Sequence, residues 1–107
     1  MNWKIVYTKK ALEELDDIYN YISNVLLEPK TAKSLFELII KEVRGLDQMP
    51  MRNRLCDELP WNDKGIRKMQ VKNYLIFYRP NEEDHTVYIL KIIYGGRDIS
   101  KQLNDIE

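Results

Sequence analysis

Apolar residues change their spacing along this chain, and each change predicts a new element. Trp3, Ile5 and Tyr7 alternate with Lys4 and Val6, the period of a short strand. Thr8 then stands where a helix N-cap belongs, and the spacing lengthens to three and four. Ala11, Leu12, Leu15, Ile18, Tyr19, Ile22, Val25 and Leu26 form one stripe, with Glu13, Glu14, Asp16, Asp17 and Asn20 on the polar side. Pro29 breaks the stripe and suits the first position of a second helix, where its missing N–H leaves nothing unpaired. That helix runs through Ala32, Leu35, Phe36, Ile39, Ile40, Val43 and Leu46 and ends before Pro50. Two amphipathic helices with so short a join predict an antiparallel helical hairpin.

From Gln48 to Lys64 no period holds, and Pro50, Asn53, Pro60 and Asn62 mark a connecting loop. Leu55, Leu59 and Trp61 are the residues expected to pin it down. Gly65 to Asp98 reads as three successive strands. Val71-Lys72-Asn73-Tyr74 bends the chain between the first two, and the polar run Asn81 to His85 between the next two. Alternation puts Tyr74, Ile76 and Tyr78 on one face and Leu75, Phe77 and Arg79 on the other. In the last strand, Val87, Ile89, Lys91 and Ile93 oppose Tyr88, Leu90, Ile92 and Tyr94. Both faces are largely apolar, as in strands covered on both sides. Two helices cover only one face, so the other is expected to take a partner protein. The expected fold is α+β and a single domain over 1–107. An N-terminal strand and a helical hairpin precede a three-stranded antiparallel meander, with the helices on one face of the sheet.

Composition narrows the class. The 107 residues are 44% hydrophobic and 32% charged, enough for one core. No apolar run approaches the roughly 18 residues that span a bilayer, and the chain leads straight into a folded pattern. The single cysteine, Cys56, has no internal disulfide partner. A cytoplasmic protein without a membrane partner is expected.

Net charge is zero, from 17 basic and 17 acidic residues, which argues against indiscriminate nucleic-acid binding. The distribution is lopsided instead. Lys64, Arg67, Lys68, Lys72 and Arg79 fall in a stretch without a carboxylate. Such a field steers a polyanion to one face, or belongs to solvated strand residues that discourage edge-to-edge pairing.

Several stretches together resemble the RelE/ParE superfamily of toxins from bacterial type II toxin–antitoxin systems. They are Tyr7 to Leu15, Pro29 at the second helix, Gly65-Ile66-Arg67-Lys68-Met69, Asn73 to Arg79, Val87-Tyr88-Ile89-Leu90 and Tyr94 to Ile99. The resemblance covers nearly the whole chain. It implies a small toxin with the helical hairpin on one face of an antiparallel sheet, neutralised by a cognate antitoxin in a hetero-oligomer. Toxins similar to RelE cut messenger RNA on the ribosome; those similar to ParE inhibit DNA gyrase.

Metal-independent RNA cleavage needs a group to take the 2′-OH proton, cations for the phosphate, and an acid for the departing oxygen. For that activity the residues would be Lys68, Tyr94 and Arg97, with Arg67, Lys72 and Arg79 binding the target. Carried over by position, Arg97 fits the family's arginine after the last strand, and Lys68 its strand lysine. Leu75 stands where the nucleases usually have arginine, and Ile99 to Leu103 where many carry a tyrosine. Tyrosine, with an ordinary pKa of about 10, is a poor base at neutral pH. The balance favours gyrase poisoning over messenger-RNA cleavage, with a decayed member that binds only antitoxin as the third reading. No cofactor or metal is implied, since one histidine and one cysteine far apart assemble no ligand set. Tyr74 and Tyr78 read as core, and His85 as a solvated turn residue.

Overall fold

The computed structural model describes residues 2–57 and 60–95. Thr8 makes the first turn from strand to helix. Its Oγ1 accepts from the Ala11 N–H (3.2 Å), capping the helix, and donates to the Ile89 carbonyl (2.9 Å) in the last strand. A cap of this kind is worth about 1 kcal/mol; here it also fixes where the helix leaves the sheet. The elements are β1 (Lys4–Tyr7), α1 (Lys9–Asn20), α2 (Pro29–Arg44), β2 (Arg67–Val71), β3 (Tyr74–Asn81) and β4 (Thr86–Tyr94). One wider turn, Tyr21–Val25, continues α1, and Pro29 opens α2 as its sequence position predicts. No helix among the described residues is long and apolar enough to cross a membrane.

The sheet order is β1-β4-β3-β2. β2, β3 and β4 form the expected antiparallel meander. β1, however, lies parallel to β4, so the sheet is mixed where the resemblance implied an antiparallel one. The cause is topological: a three-strand meander leaves β4 running the way β2 runs, and the loop after α2 starts β2 in the direction of β1.

Ala11, Leu15, Ile39 and Val43 of the helices pack on Met69, Ile76, Tyr78, Val87, Ile89 and Ile92 of the sheet. Each buried Leu, Ile, Val or Met side chain contributes about 1.5–3 kcal/mol by leaving water. The opposite face is not bare, contrary to expectation. Cys56, Trp61 and Ile66, from the loop before β2, build a second cluster with Leu75, Phe77 and Ile93. Of the three expected pins, Trp61 is buried and Leu55 half-buried, bridged to Arg67, while Leu59 lies outside the described residues.

Simple alternation also fails in β4. Tyr78 pairs with Ile89 but Phe77 with Lys91, so Leu90 is an extra residue, a β-bulge. The bulge reverses the phase. Ile92 joins Val87 and Ile89 on the helix side, while Ile93 joins Leu90 and Phe77 on the other. Lys91, just past the bulge, is 1% exposed and pairs with Glu14 of α1 at 2.8 Å. The other Glu14 oxygen accepts from the Ile92 N–H at 3.0 Å. β1 ends at Tyr7, opposite Ile89, so β4 outruns its neighbour and this amide would otherwise lack a strand partner. Glu14, expected on the solvent side, therefore faces the sheet.

Two smaller expectations also change. His85 is not simply solvated: its ring stacks on Trp3 with centroids 4.1 Å apart, and its carbonyl accepts from the Lys4 N–H. At the helical tip Val25 and Leu26 stay exposed, with Tyr21 and Leu27 beside them in sequence, although two of these belong to the apolar stripe.

Removing the Glu14 carboxylate takes the acid from a buried lysine and the acceptor from a strand amide. Glu14→Ala is expected to lower unfolding free energy by about 3 kcal/mol, read from the denaturant midpoint. The double variant Glu14→Leu/Lys91→Met should recover most of that loss.

Burial pushes the Tyr7 hydroxyl up to about 12, against the opposing pull of Arg44. The unfolded chain ionises near 10, so the native state holds the proton longer. The tyrosine's contribution is complete below pH 10 and is lost as pH rises towards 12. Tyr7→Phe should therefore flatten the loss of stability over that interval in a pH series of denaturant melts.

Candidate functional site

The structure separates the cations that the sequence groups together. Lys68 sits on β2 opposite Phe77, on the face covered by the loop. Arg79 lies two positions further along β3 on that same face, opposite Tyr88. Diagonal neighbours of this kind lie about 7–8 Å apart, so Lys68 and Arg79 form a local cationic pair of positions.

Arg67 does something else. It stands opposite Tyr78, and its guanidinium donates to the carbonyls of Asn53 (2.7 Å) and Met51 (3.2 Å). The Tyr78 hydroxyl donates to the Pro50 carbonyl at 2.7 Å and accepts from Asn53 Nδ2 at 3.0 Å. Arg67 and Tyr78 together hold the segment between α2 and the second cluster. Burial raises the Tyr78 pKa, opposed by the Asn53 hydrogen bond and by Arg67 and Arg52. This tyrosine is a neutral structural donor, as its core reading anticipated.

Lys72 is exposed in the two-residue turn between β2 and β3, with φ 55. Tyr94, at the end of β4, pairs with Tyr74, and their rings meet edge to face at 5.7 Å. It is 47% exposed and borders an open cavity of about 290 Å³ with Gln70, Asn73, Leu75 and Gly95. Gly95 donates to the Asn73 carbonyl at 2.8 Å, and a Cβ at that position would stand 3.2 Å from the same oxygen. Arg97 lies outside the described residues.

Lys68 and Tyr94 do not meet. Their partners on β3, Phe77 and Tyr74, are three positions apart, about 10 Å at the usual strand rise. An odd number of positions also places them on opposite faces of the pleat. Where a tyrosine shift is resolved, it runs upward: Tyr88 rises through its hydrogen bond to Asp84, as Tyr7 and Tyr78 rise through burial. Leu75, at the position of the nucleases' arginine, is 8% exposed and packed with Phe77 and Ile93. Among the described residues, no three His, Cys, Asp or Glu side chains group to hold a metal ion.

Sequence reasoning missed Asn53, whose carbonyl and amide serve Arg67 and Tyr78, and Glu14. Asn53 lies in an aperiodic loop with no local signal. Glu14 is one acid among several on a helix, and only its partner in β4 distinguishes it.

A mixed four-stranded sheet with a helical hairpin on one face and a basic meander is the architecture of the small RelE-like toxins. Residues 5–99 match the family described as the ParE toxin of type II toxin–antitoxin system, parDE. The chain belongs to that family, within the RelE/ParE superfamily, and is the toxin component of a type II toxin–antitoxin module. Among solved structures it is similar to a chromosomal ParDE system from P. aeruginosa. That match has 24% identity and a TM-score of 0.71, over 86% of this chain and 95% of that one. A mutant of E. coli toxin RelE in the free state matches at 13% identity and a TM-score of 0.69, over 99% and 95% of the two chains. A RelBE toxin–antitoxin complex from Mycobacterium tuberculosis matches at 18% and 0.60, over 88% and 99%. No curated protein sequence matches.

The turn at Lys72 allows charge to be tested apart from fold. A side chain in the left-handed region costs about 1 kcal/mol that glycine avoids. Lys72→Gly is expected to hold or slightly raise the melting temperature while increasing the inducer level needed for growth arrest. Unchanged arrest would remove Lys72 from the target-binding surface.

Proposed function

We propose that this toxin arrests growth by binding DNA gyrase, without catalysis of its own, and that a cognate antitoxin neutralises it in the cytoplasm. The observation that carries the proposal is the separation of Lys68 from Tyr94. These two described candidates for proton transfer stand on opposite faces of the sheet, whereas cleavage needs both within reach of one phosphate. Leu75 supports the same reading, because an apolar side chain built into a core cluster holds no phosphate. Membership of the ParE family agrees, since toxins similar to ParE inhibit gyrase. Lys68, Lys72 and Arg79 then act through affinity: cations on the strands and turn of the meander meet a target that handles DNA. Arg67 supports that surface by fixing the loop behind it.

One observation favours messenger-RNA cleavage on the ribosome as the second reading. Tyr94 is half-exposed over an open cavity, as a residue touching a nucleotide would be. In that reading Lys68 and Arg97 are the further catalytic candidates the sequence names.

Several structures similar to this chain are toxin–antitoxin complexes. We extend that partnership to this chain, with the antitoxin encoded beside it. Co-expression with the neighbouring reading frame should yield a stable complex on gel filtration; separate elution of the two proteins would contradict the partnership.

The target is tested with the purified toxin in two assays. Added to gyrase, relaxed plasmid and ATP, it is expected to block supercoiling at near-stoichiometric amounts. Added to a translating extract, it should generate no new messenger-RNA ends. Unaffected supercoiling together with new, codon-aligned ends would overturn the proposal.

A further inference from the structure

The outer face of the helical hairpin keeps apolar side chains in water. Leu12 is 51% exposed and Phe36 38%, while Tyr19 and Ile40 are half-buried. Leu12, Asp16 and Tyr19 follow one another at helical spacing on α1, as Phe36 and Ile40 do on α2. The Tyr19 and Phe36 rings meet edge to face with centroids 5.8 Å apart, so the two lines border one groove between the helices. Charge divides along the same groove. Beyond its first turn the exposed charges of α1 are all acidic: Glu13, Asp16 and Asp17. Those of α2 from Lys30 to Lys41 are basic (Lys30, Lys33 and Lys41) except for Glu37. None of these side chains forms an ion pair among the described residues.

We propose that this face seats a second copy of the chain, hairpin on hairpin, in a twofold dimer whose axis runs parallel to the helices. The observation that selects a copy is the pairing of one acidic and one basic helix across an apolar groove. A partner of uniform charge, such as a nucleic acid or an anionic membrane, loses on α1 what it gains on α2. A second hairpin matches both helices, because a twofold axis along them sets α1 of each copy against α2 of the other. An axis across the helices sets acid on acid and base on base, and the same charges disfavour it.

The favoured axis keeps every residue at its own level along the hairpin. Tyr19 is level with Phe36, and the helices are antiparallel, so Glu13 is nearly level with Lys41 and faces Lys41 of the second copy. Leu12, Tyr19, Phe36 and Ile40 of both copies form the apolar seam. The inference goes beyond the gyrase reading and does not depend on it. Lys68 and Arg79 lie on the sheet face away from the helices, so a hairpin dimer leaves both copies of these cations outward. The toxin becomes bivalent.

The test is sedimentation equilibrium of the purified full chain over a concentration series. The mass should rise from the 12.9 kDa of one chain towards twice that value. Leu12→Gln/Phe36→Gln changes two exposed positions. It should weaken the dimer by about tenfold or more while circular dichroism keeps the helical signal. Glu13→Lys and Lys41→Glu should each weaken it about tenfold, because in a twofold dimer each turns two attractive pairs into two repulsive ones. The double variant Glu13→Lys/Lys41→Glu exchanges the charges and should return to within about twofold of the parent. A single-chain mass at every concentration would overturn the proposal. So would a dimer indifferent to Leu12→Gln/Phe36→Gln, or a charge exchange that restores nothing. Gyrase inhibition is read separately, so the loss of either conclusion leaves the other standing.

Discussion

The carboxylate of Glu14 is the contact on which the rest of this fold depends. One oxygen pairs with the buried Lys91 ammonium, the other takes the Ile92 N–H where β4 outruns β1. A lysine that is 1% exposed is tolerated only with an acid beside it. The pair therefore fixes the position of α1 on the sheet more narrowly than apolar packing does. Thr8 anchors the same helix at its other limit, through the Ile89 carbonyl. Between these two contacts α1 has one seating on β4, and α2 packs against a helix already placed.

The bulge at Leu90 follows from the same region and divides the sheet between two cores. Before it, Val87 and Ile89 face the helices; after it, Ile92 does, and Ile93 turns to the loop. The loop can cover the second face because Trp61 and Cys56 bury there, and because Arg67 and Tyr78 hold its approach. Arginine is thus divided between tasks. Arg67 supports the scaffold, and Arg79 remains with Lys68 on a surface suited to a polyanionic target. A family whose members bind different targets on one fold can vary that surface without disturbing the helix side.

Much of the fold was legible in local spacing. The shift from period two to period 3.6 after Thr8, the break at Pro29, and the turns at Lys72-Asn73 and Asn81–His85 each mark a boundary that the structure keeps. What local spacing could not show depends on distant partners. A bulge is defined by the strand opposite, so Leu90 looks like any other strand residue. Glu14 stands among Glu13, Asp16 and Asp17 and shares their helical surroundings, and only Lys91 sets it apart. The parallel pairing of β1 depends on the path of a loop without periodicity. For the site, the sequence supplied candidate cations but grouped them by proximity along the chain. Pleating separated Lys68 from Arg67, and register separated both from Tyr94. Arg97, the remaining candidate, lies outside the described residues.

The central claim is that this toxin stops growth by engaging gyrase and not by cutting messenger RNA. The most direct test is a pulse-label experiment in cells, begun within minutes of inducing the toxin without its antitoxin. Thymidine incorporation should fall first, with amino-acid incorporation continuing until replication has stalled. An immediate fall in amino-acid incorporation, with thymidine uptake sustained, would contradict the account and return Lys68, Tyr94 and Arg97 to a catalytic role.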